Sequence, residues 1–252
     1  MCTVTWYRQP GGYQLFSNRD EKPARKPATG PELLEQRGVR FIAPVDGDCG
    51  GSWIATNEFG LSLCLINGPG ARPKETRSRG LVLTDWISAP DLASLRELVA
   101  RSDLRGVAPF SMVVLEAQSP ASVIQWNGAR CDLIEEQHAP MPLVSSSFDP
   151  HGVARSRRDL LLQMSGGSSK TGVFLAFHRS HEPERGPYSP CMHRSDAYSV
   201  SFTWVNVMAG EAIMYYAPGP PCSSLFGESR LLPIGTLQDS ARLTGRLQPC
   251  AT

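Results

Sequence analysis

The chain has 252 residues, with 25 lysines and arginines against 24 aspartates and glutamates, a formal charge of +1, and 41% hydrophobic residues. That hydrophobic share excludes a disordered chain, and the balanced charge gives no global attraction to nucleic acid or to an acidic membrane surface. Seven cysteines, odd in number, widely spaced and without a Cys-x-x-Cys pair, argue against a secreted disulfide framework and for reduced thiols in a cytoplasmic protein.

The start, Met1-Cys2-Thr3-Val4, has neither a basic segment nor a long apolar one, so no signal peptide is expected. No apolar run reaches the ~18 residues of a membrane span. Strand signals dominate. Cys2 to Tyr7 alternates, Gly11-Gly12 makes a turn, and Tyr13 to Ser17 returns as the second arm of a hairpin. Glu21 to Gly38 is polar and broken by prolines. Ser52 to Thr56 and Leu61 to Ile66 form a second hairpin around Asn57-Glu58-Phe59-Gly60. Pro90-Asp91 starts a helix whose Leu92, Leu95, Leu98 and Val99 share a face, and which ends before Gly106. Ser111 to Glu116 and Ser122 to Trp126 read as strands, and Asn127-Gly128 turns the chain to a third over Arg130 to Ile134. A second helix covers Ala154 to Met164, Gly166 to Ser169 is a flexible spacer, and His178 to His193 is a loop rich in Pro and His. Strands follow at Tyr198 to Val207 and Glu211 to Tyr216. With no internal repeat and no linker, the pattern predicts one α+β domain over residues 1–252, built on packed sheets.

Cysteine at position 2 carries the chemistry. Methionine before a small residue is normally removed, which makes Cys2 the mature amino terminus and gives one residue a thiol and a free α-amine. An amine of pKa ~8 suits a general base at neutral pH, and the thiol needs only a modest shift to become a nucleophile. Asn18-Arg19-Asp20-Glu21 ends the second arm of the first hairpin, so pairing returns it to Cys2. A guanidinium there orients a substrate carbonyl, and a carboxylate holds the amine.

Met-Cys-Thr-Val-Thr-Trp followed by Ser17-Asn18-Arg19-Asp20-Glu21 resembles the NRDE family, which is named for that tetrapeptide and includes the transport and Golgi organisation homologues. Gly51 to Leu61, containing Trp53 and Asn57, is similar to that family's Gly-Thr-Trp-Leu-Gly-x-Asn-x-x-Gly. More distantly, Asn57-Glu58-Phe59-Gly60-Leu61 and Ile66-Asn67-Gly68-Pro69-Gly70 resemble segments of N-terminal-nucleophile amidases, the penicillin V acylase and bile salt hydrolase group. This resemblance implies a four-layer αββα sandwich and a thiol hydrolase acting on a linear amide. Cys2 would be the nucleophile, Asp20 the residue holding its amine and Asn67 an oxyanion-hole donor, with Asn18, Trp53 and Asn57 beside the ligand. The chain also departs from those amidases, which space the pair as Arg-x-x-Asp. Here Arg19 and Asp20 are adjacent, on opposite faces of a regular strand, so the sequence leaves open which of them faces Cys2, and Arg19 stands with Cys2, Asp20 and Asn67 as a catalytic candidate. The amidases' second Asn falls within Val144 to Phe148, where Ser146 stands in. Their late Arg falls on Ala217, leaving Arg194 as the substitute if its loop folds inward.

His178-x-x-His181 and Cys191-Met192-His193 put three imidazoles and a thiol within 16 residues. The types suit zinc, but the spacing fits no common zinc module, so loop histidines or lining of the Cys2 cleft is the expectation. Proteins resembling this family are implicated in intracellular haem trafficking. A carrier would draw its axial ligand from His178, His181, His193, Cys2 and Met192, with no Cys-x-x-Cys-His attachment signal present. Arg72, Lys74, Arg77 and Arg79 form a basic run able to draw an anionic ligand to the cleft, without the aromatic interleaving of a nucleic-acid binder. The expectation is therefore a protein that takes a small-molecule ligand and holds no resident cofactor. It is read first as a hydrolase, with a haem carrier as the competing class.

Overall fold

Alternation along each strand decides which layer its side chains enter. In the computed structural model, which describes residues 2–70, 73 and 77–235, β1 (Cys2–Gln9) and β2 (Gly12–Glu21) form the expected hairpin. After them come β3 (Glu32–Gln36), β4 (Val39–Ala43), β5 (Ile54–Asn57) and β6 (Ser62–Asn67), then α1 (Arg79–Trp86) and α2 (Leu92–Arg101). The chain continues through β7 (Phe110–Glu116), β8 (Ser119–Trp126), β9 (Cys131–Glu135) and β10 (Leu143–Ser145) to α3 (Pro150–Ser165) and α4 (Thr171–Arg179). It closes with β11 (Tyr198–Met208), β12 (Glu211–Pro218) and β13 (Glu228–Pro233). Two antiparallel sheets result, one in the order β10-β1-β2-β11-β12-β13 and one running β3 to β9 in sequence order.

Three apolar clusters define the layers. Val4, Trp6, Tyr13 and Leu15 of the first sheet meet Ile54, Cys64, Ile66 and Val113 of the second, filling the space between sheets. The alternate residues of the second sheet, Leu63, Leu65 and Met112, pack on Val82, Leu83, Trp86 and Leu95 of α1 and α2. On the far side, Tyr7, Phe16 and Phe202 pack on Leu161, Phe174 and Phe177 of α3 and α4. The order helix, sheet, sheet, helix is the αββα sandwich. Each buried leucine or phenylalanine contributes roughly 1.5–3 kcal/mol, so the three clusters dominate the stability of the fold.

Several elements differ from the reading of the sequence. The polar stretch before Gly38 holds β3, an edge strand with one neighbour, and its Glu32 and Glu35 face outward as edge strands require. The β3–β4 turn is marked by positive φ at both Arg37 (52°) and Gly38 (78°). The second helix begins earlier than expected, at Pro150, because Asp149 caps the Gly152 N–H, and it ends where Gly166 turns left-handed at φ 50°. His178 and Arg179, expected to open a loop, end α4 instead, so His178 is in the last turn of a helix and fully buried. No helix among the described residues is long and apolar enough to cross a membrane.

Candidate active site at the start of the first strand

Cys2 opens β1 and is paired on both sides, with Arg19 of β2 and with Ser145 of β10. Directly opposed residues in antiparallel strands share a face, so Cys2, Arg19 and Ser145 all face the space between the sheets, at its open end. A cavity of about 520 Å³ there is lined by Cys2, Arg19, Trp53, Asn67 and Arg79 among others. An adjoining one of about 430 Å³ is lined by Asp20, Asn67, Ser145, Ser146 and Arg194. Asn67 and Arg79 border both, which makes them two ends of one cleft. Burial raises the Cys2 thiol above its ordinary pKa. The positive amino terminus and the Asp20 backbone N–H pull it down, while the charges of Asp20 and Glu21 reinforce the rise. The resting thiol is therefore protonated at neutral pH.

Which way Arg19 points, open in the sequence, follows from the register, which puts it directly across the ladder from Cys2. Its guanidinium lies 4.3 Å over the Trp53 ring, donates to Asp46 Oδ2 at 2.5 Å and is 3.5 Å from Glu21. Arg25 donates to the same Asp46 oxygen at 2.6 Å, and the other oxygen accepts from the backbone N–H groups of Asp48 and Cys49. Burial alone would raise the Asp46 pKa. The Cys49 N–H, the Arg25 hydrogen bond and the two arginine charges outweigh it and hold the carboxylate below its usual range. Arg19 is thus clamped flat at the cleft mouth between an aromatic ring and a charged acceptor.

Asp20, the next residue, goes the other way. Its Oδ1 accepts from Ser199 Oγ at 2.6 Å, on the side of the sheet covered by α3 and α4. Arg157 of α3 is fully buried beneath this face and donates to Thr3 Oγ1 and to the carbonyls of Tyr188 and Pro187 at 3.3 and 3.1 Å. Burial raises the Asp20 pKa and lowers that of Arg157, and the charge of each opposes the shift of the other. His178 Nε2 is 2.8 Å from Thr5 Oγ1. Burial, followed by the Arg157 charge, pushes its pKa down to about 3, so the ring is neutral. Asn18 donates to the carbonyls of His178 and Pro190, both at 2.9 Å. Asn18 and His178 therefore knit β2, α4 and the following loop together, on the face away from Cys2.

The remaining expected residues divide in the same way. Asn57 donates to the carbonyls of Ile87 and Ala89 and accepts from the N–H groups of Phe59 and Leu61, tying the β5–β6 turn to the end of α1. That uses its whole amide in the fold, and it borders neither cavity. The Arg194 loop does fold inward. Its guanidinium pairs with Asp196 at 2.6 Å, lies 5.1 Å from the Phe148 ring, and lines the cleft near Ser146. Of the basic run, Arg77 and Arg79 border the cleft, while Arg72 and Lys74 lie outside the described residues. Three buried donors at the cleft have no partner among the described residues: Trp53 Nε1, Ser145 Oγ and Arg194 Nη1. His181, Cys191 and His193 come together with Cys222, and none of the four lines either cavity; His178 is not among them.

Sequence reasoning missed Ser145, Arg157 and Asp46. Arg157 had a signal, since it falls four residues after Val153 and four before Leu161, on the buried stripe of α3. For Ser145 the signal was the stretch Val144 to Phe148 where the amidases' second Asn falls, and only the pairing with Cys2, between segments more than a hundred residues apart, picks Ser145 from its serines.

Solved structures share this architecture. The chain is 13% identical to the Caenorhabditis elegans orthologue of N-acylethanolamine-hydrolyzing acid amidase, with a TM-score of 0.60 over 92% of this chain and 100% of that one. For a conjugated bile acid hydrolase from Clostridium perfringens the figures are 10%, 0.55, and 92% of both chains. For penicillin V acylase from Agrobacterium tumefaciens they are 9% and 0.54, over 86% of this chain and 83% of that one. At identities this low the likeness shows a shared fold alone, the αββα sandwich of two antiparallel sheets between helices. The sequence profile of the Transport and Golgi organisation 2 family matches residues 1–156, and the chain belongs to that family. That span carries Cys2, Arg19, Asp20, Trp53, Asn67 and Ser145 but ends before Arg157 and Arg194. No curated protein matches the chain.

Proposed function

We propose that this chain is a cysteine hydrolase of the N-terminal-nucleophile type, acting on a linear amide that carries negative charge. One observation carries the reading: Cys2 begins a strand between Arg19 and Ser145, beside a cleft bordered by three buried donors that lack acceptors. Unpaired buried donors each cost about 1–3 kcal/mol, a cost that a carbonyl or carboxylate in the cleft would remove. The names of the structural neighbours, two hydrolases or amidases and one acylase, point the same way.

Loss of Met1 turns the Cys2 amide nitrogen into an α-amine beside its own thiol. The sulfur adds to the amide carbonyl carbon while the thiol proton passes to that amine. Asn67 and Ser145 are the residues assigned to receive the developing oxyanion, and one such donor is worth about 2.7–4 kcal/mol. The amine then returns the proton to the leaving nitrogen as the C–N bond breaks. Water attacks the thioester, releases the carboxylic acid and restores the thiol. Asp20 has the role of positioning the amine, a reading supported by its place on the lining of the same cleft, next to the Arg19 that pairs with Cys2. Arg19 and Arg194 hold the anionic part of the substrate.

Haem carriage lacks comparable support. Of the axial candidates Cys2, His178, His181, Met192 and His193, only Cys2 borders the cleft. The test is turnover of a panel of N-acyl amides ending in carboxylates by the native protein and by Cys2→Ala. The expected loss is ~10³-fold or more with an unchanged fold. Equal turnover by the variant would overturn the reading. Absence of turnover combined with a stoichiometric Soret shift on haem titration would replace it with the carrier.

A further inference from the structure

Outside the cleft, four metal-ligating side chains arrive from three separate segments. His181 follows the end of α4, Cys191 and His193 precede β11, and Cys222 lies in the connection from β12 to β13. All four ligating atoms lie within 4.8 Å of one another. Cys191 Sγ is 3.4 Å and Cys222 Sγ 3.5 Å from His193 Nε2, and the rings of His181 and His193 are 5.1 Å apart between centroids. Zinc bonds of ~2.3 Å to sulfur and ~2.0–2.1 Å to nitrogen place a sulfur and a nitrogen of one tetrahedron about 3.6 Å apart. Both measured sulfur–nitrogen distances are already close to that edge.

A second observation points to a ligand. His181 Nε2 is buried and has no hydrogen-bond partner among the described residues. A buried ring nitrogen without a partner, next to two thiols and a second imidazole, needs either a proton acceptor or an electron-pair acceptor. A borderline-soft divalent cation satisfies all four groups at once.

We propose that His181, Cys191, His193 and Cys222 bind one zinc ion in a closed, four-protein-ligand site. A full set of protein ligands leaves no position for substrate or water, so the ion is structural. It has a definite task. Residues 180–197 form neither helix nor strand, yet they supply the Pro187 and Tyr188 carbonyls that hold Arg157 and the Pro190 carbonyl that holds Asn18. A zinc clamp at the start and end of this segment, anchored to the β12 side through Cys222, fixes those acceptors beneath β1 and β2.

The test uses the full chain purified under reducing conditions without chelator. Elemental analysis is expected to give one zinc per chain. Replacement by cobalt(II) is expected to give the intense visible bands of a tetrahedral site together with a near-ultraviolet thiolate band. Cys222→Ser should halve the thiolate band and weaken zinc binding at least ~100-fold, whereas Cys49→Ser, an exposed cysteine outside the cluster, should change neither. Chelation should speed amide hydrogen exchange in residues 180–197. The cobalt spectrum of the native chain needs no variant to fold. A native protein without stoichiometric zinc and with only the weak bands of octahedral cobalt would overturn the proposal. So would a Cys191–Cys222 disulfide found by peptide mapping of the reduced preparation.

Discussion

The two faces of the β1–β2 hairpin use similar charged groups in opposite ways. On the inter-sheet face, Arg19 is clamped by Asp46 and Trp53 but borders a cavity, so a ligand can share its guanidinium. On the helix face, Arg157 and Asp20 are sealed from solvent among Thr3, Ser199 and loop carbonyls, with a neutral His178 nearby. Adjacent residues Arg19 and Asp20 thus divide across one strand: Arg19 faces the space between the sheets, while Asp20 is held from the helix side through Ser199 and still borders the end of the cleft. The comparison teaches that a charged motif in a strand is read correctly only once its alternation is anchored by register.

The division breaks first at Arg157. Arg157→Met leaves the Asp20 carboxylate buried without its compensating charge and is expected to cost about 3–5 kcal/mol in urea unfolding. Adding Asp20→Asn to that variant should recover part of the loss, because the stranded charge is then gone. A variant that unfolds like the native chain would show that the helix face does not depend on this pair.

The pH dependence of the same face is next. His178 has a folded pKa near 3, well below its ordinary value. Between those two values the unfolded chain binds a proton that the folded chain refuses. Its contribution to stability therefore falls as pH drops through about 6.5 and levels off below about 3, a loss of roughly 5 kcal/mol. Asp20, with a raised pKa, acts in the opposite sense, adding stability as pH falls through its folded value. The difference between native and His178→Gln unfolding curves isolates the histidine. A difference that does not vary with pH would contradict its buried, neutral state.

Asn57→Ala sharpens the contrast from outside both faces. It strands the Ile87 and Ala89 carbonyls and is expected to cost roughly 2–3 kcal/mol, with acylation of Cys2 in the folded fraction unchanged. Altered acylation would put Asn57 back in the site. Arg19→Lys is the gentlest probe. It keeps the charge, loses the planar stacking on Trp53, and should cost only about 1 kcal/mol in stability. Its KM for anionic amides should rise more than its kcat falls. The reverse pattern would move Arg19 from binding to the reacting atoms.

Much of the fold was legible where a signal is local. Alternation marked the first hairpin, and the Leu92, Leu95, Leu98 and Val99 stripe marked α2. The motifs around Cys2 and Asn67 mark two residues that line one cavity. What escaped depends on neighbours distant in sequence. The edge strand β3 is polar because it has one partner, and α1 lacks a side-chain cap to announce it. His178 escapes local reading because Gly166 to Ser169 and Pro183 bracket a short helix that tertiary packing sustains. Asn18 and Asn57 lie in recognisable motifs yet spend their amides on carbonyls of other elements, so motif membership alone did not separate binding from construction. Cys222, 29 residues beyond His193, joins its cluster only through the packing of the β12–β13 connection.

Hydrolysis of the proposed kind requires Cys2 to act as an exposed amino terminus and as a nucleophile together. Intact-protein mass after brief exposure to an acylating probe tests this directly, with the exposed Cys49 as the internal standard for ordinary thiol reactivity. The predicted product is a chain that lacks Met1 and carries one acyl group, located on Cys2. A chain that retains its methionine, or that carries the acyl group on Cys49 with Cys2 unmodified, would contradict it.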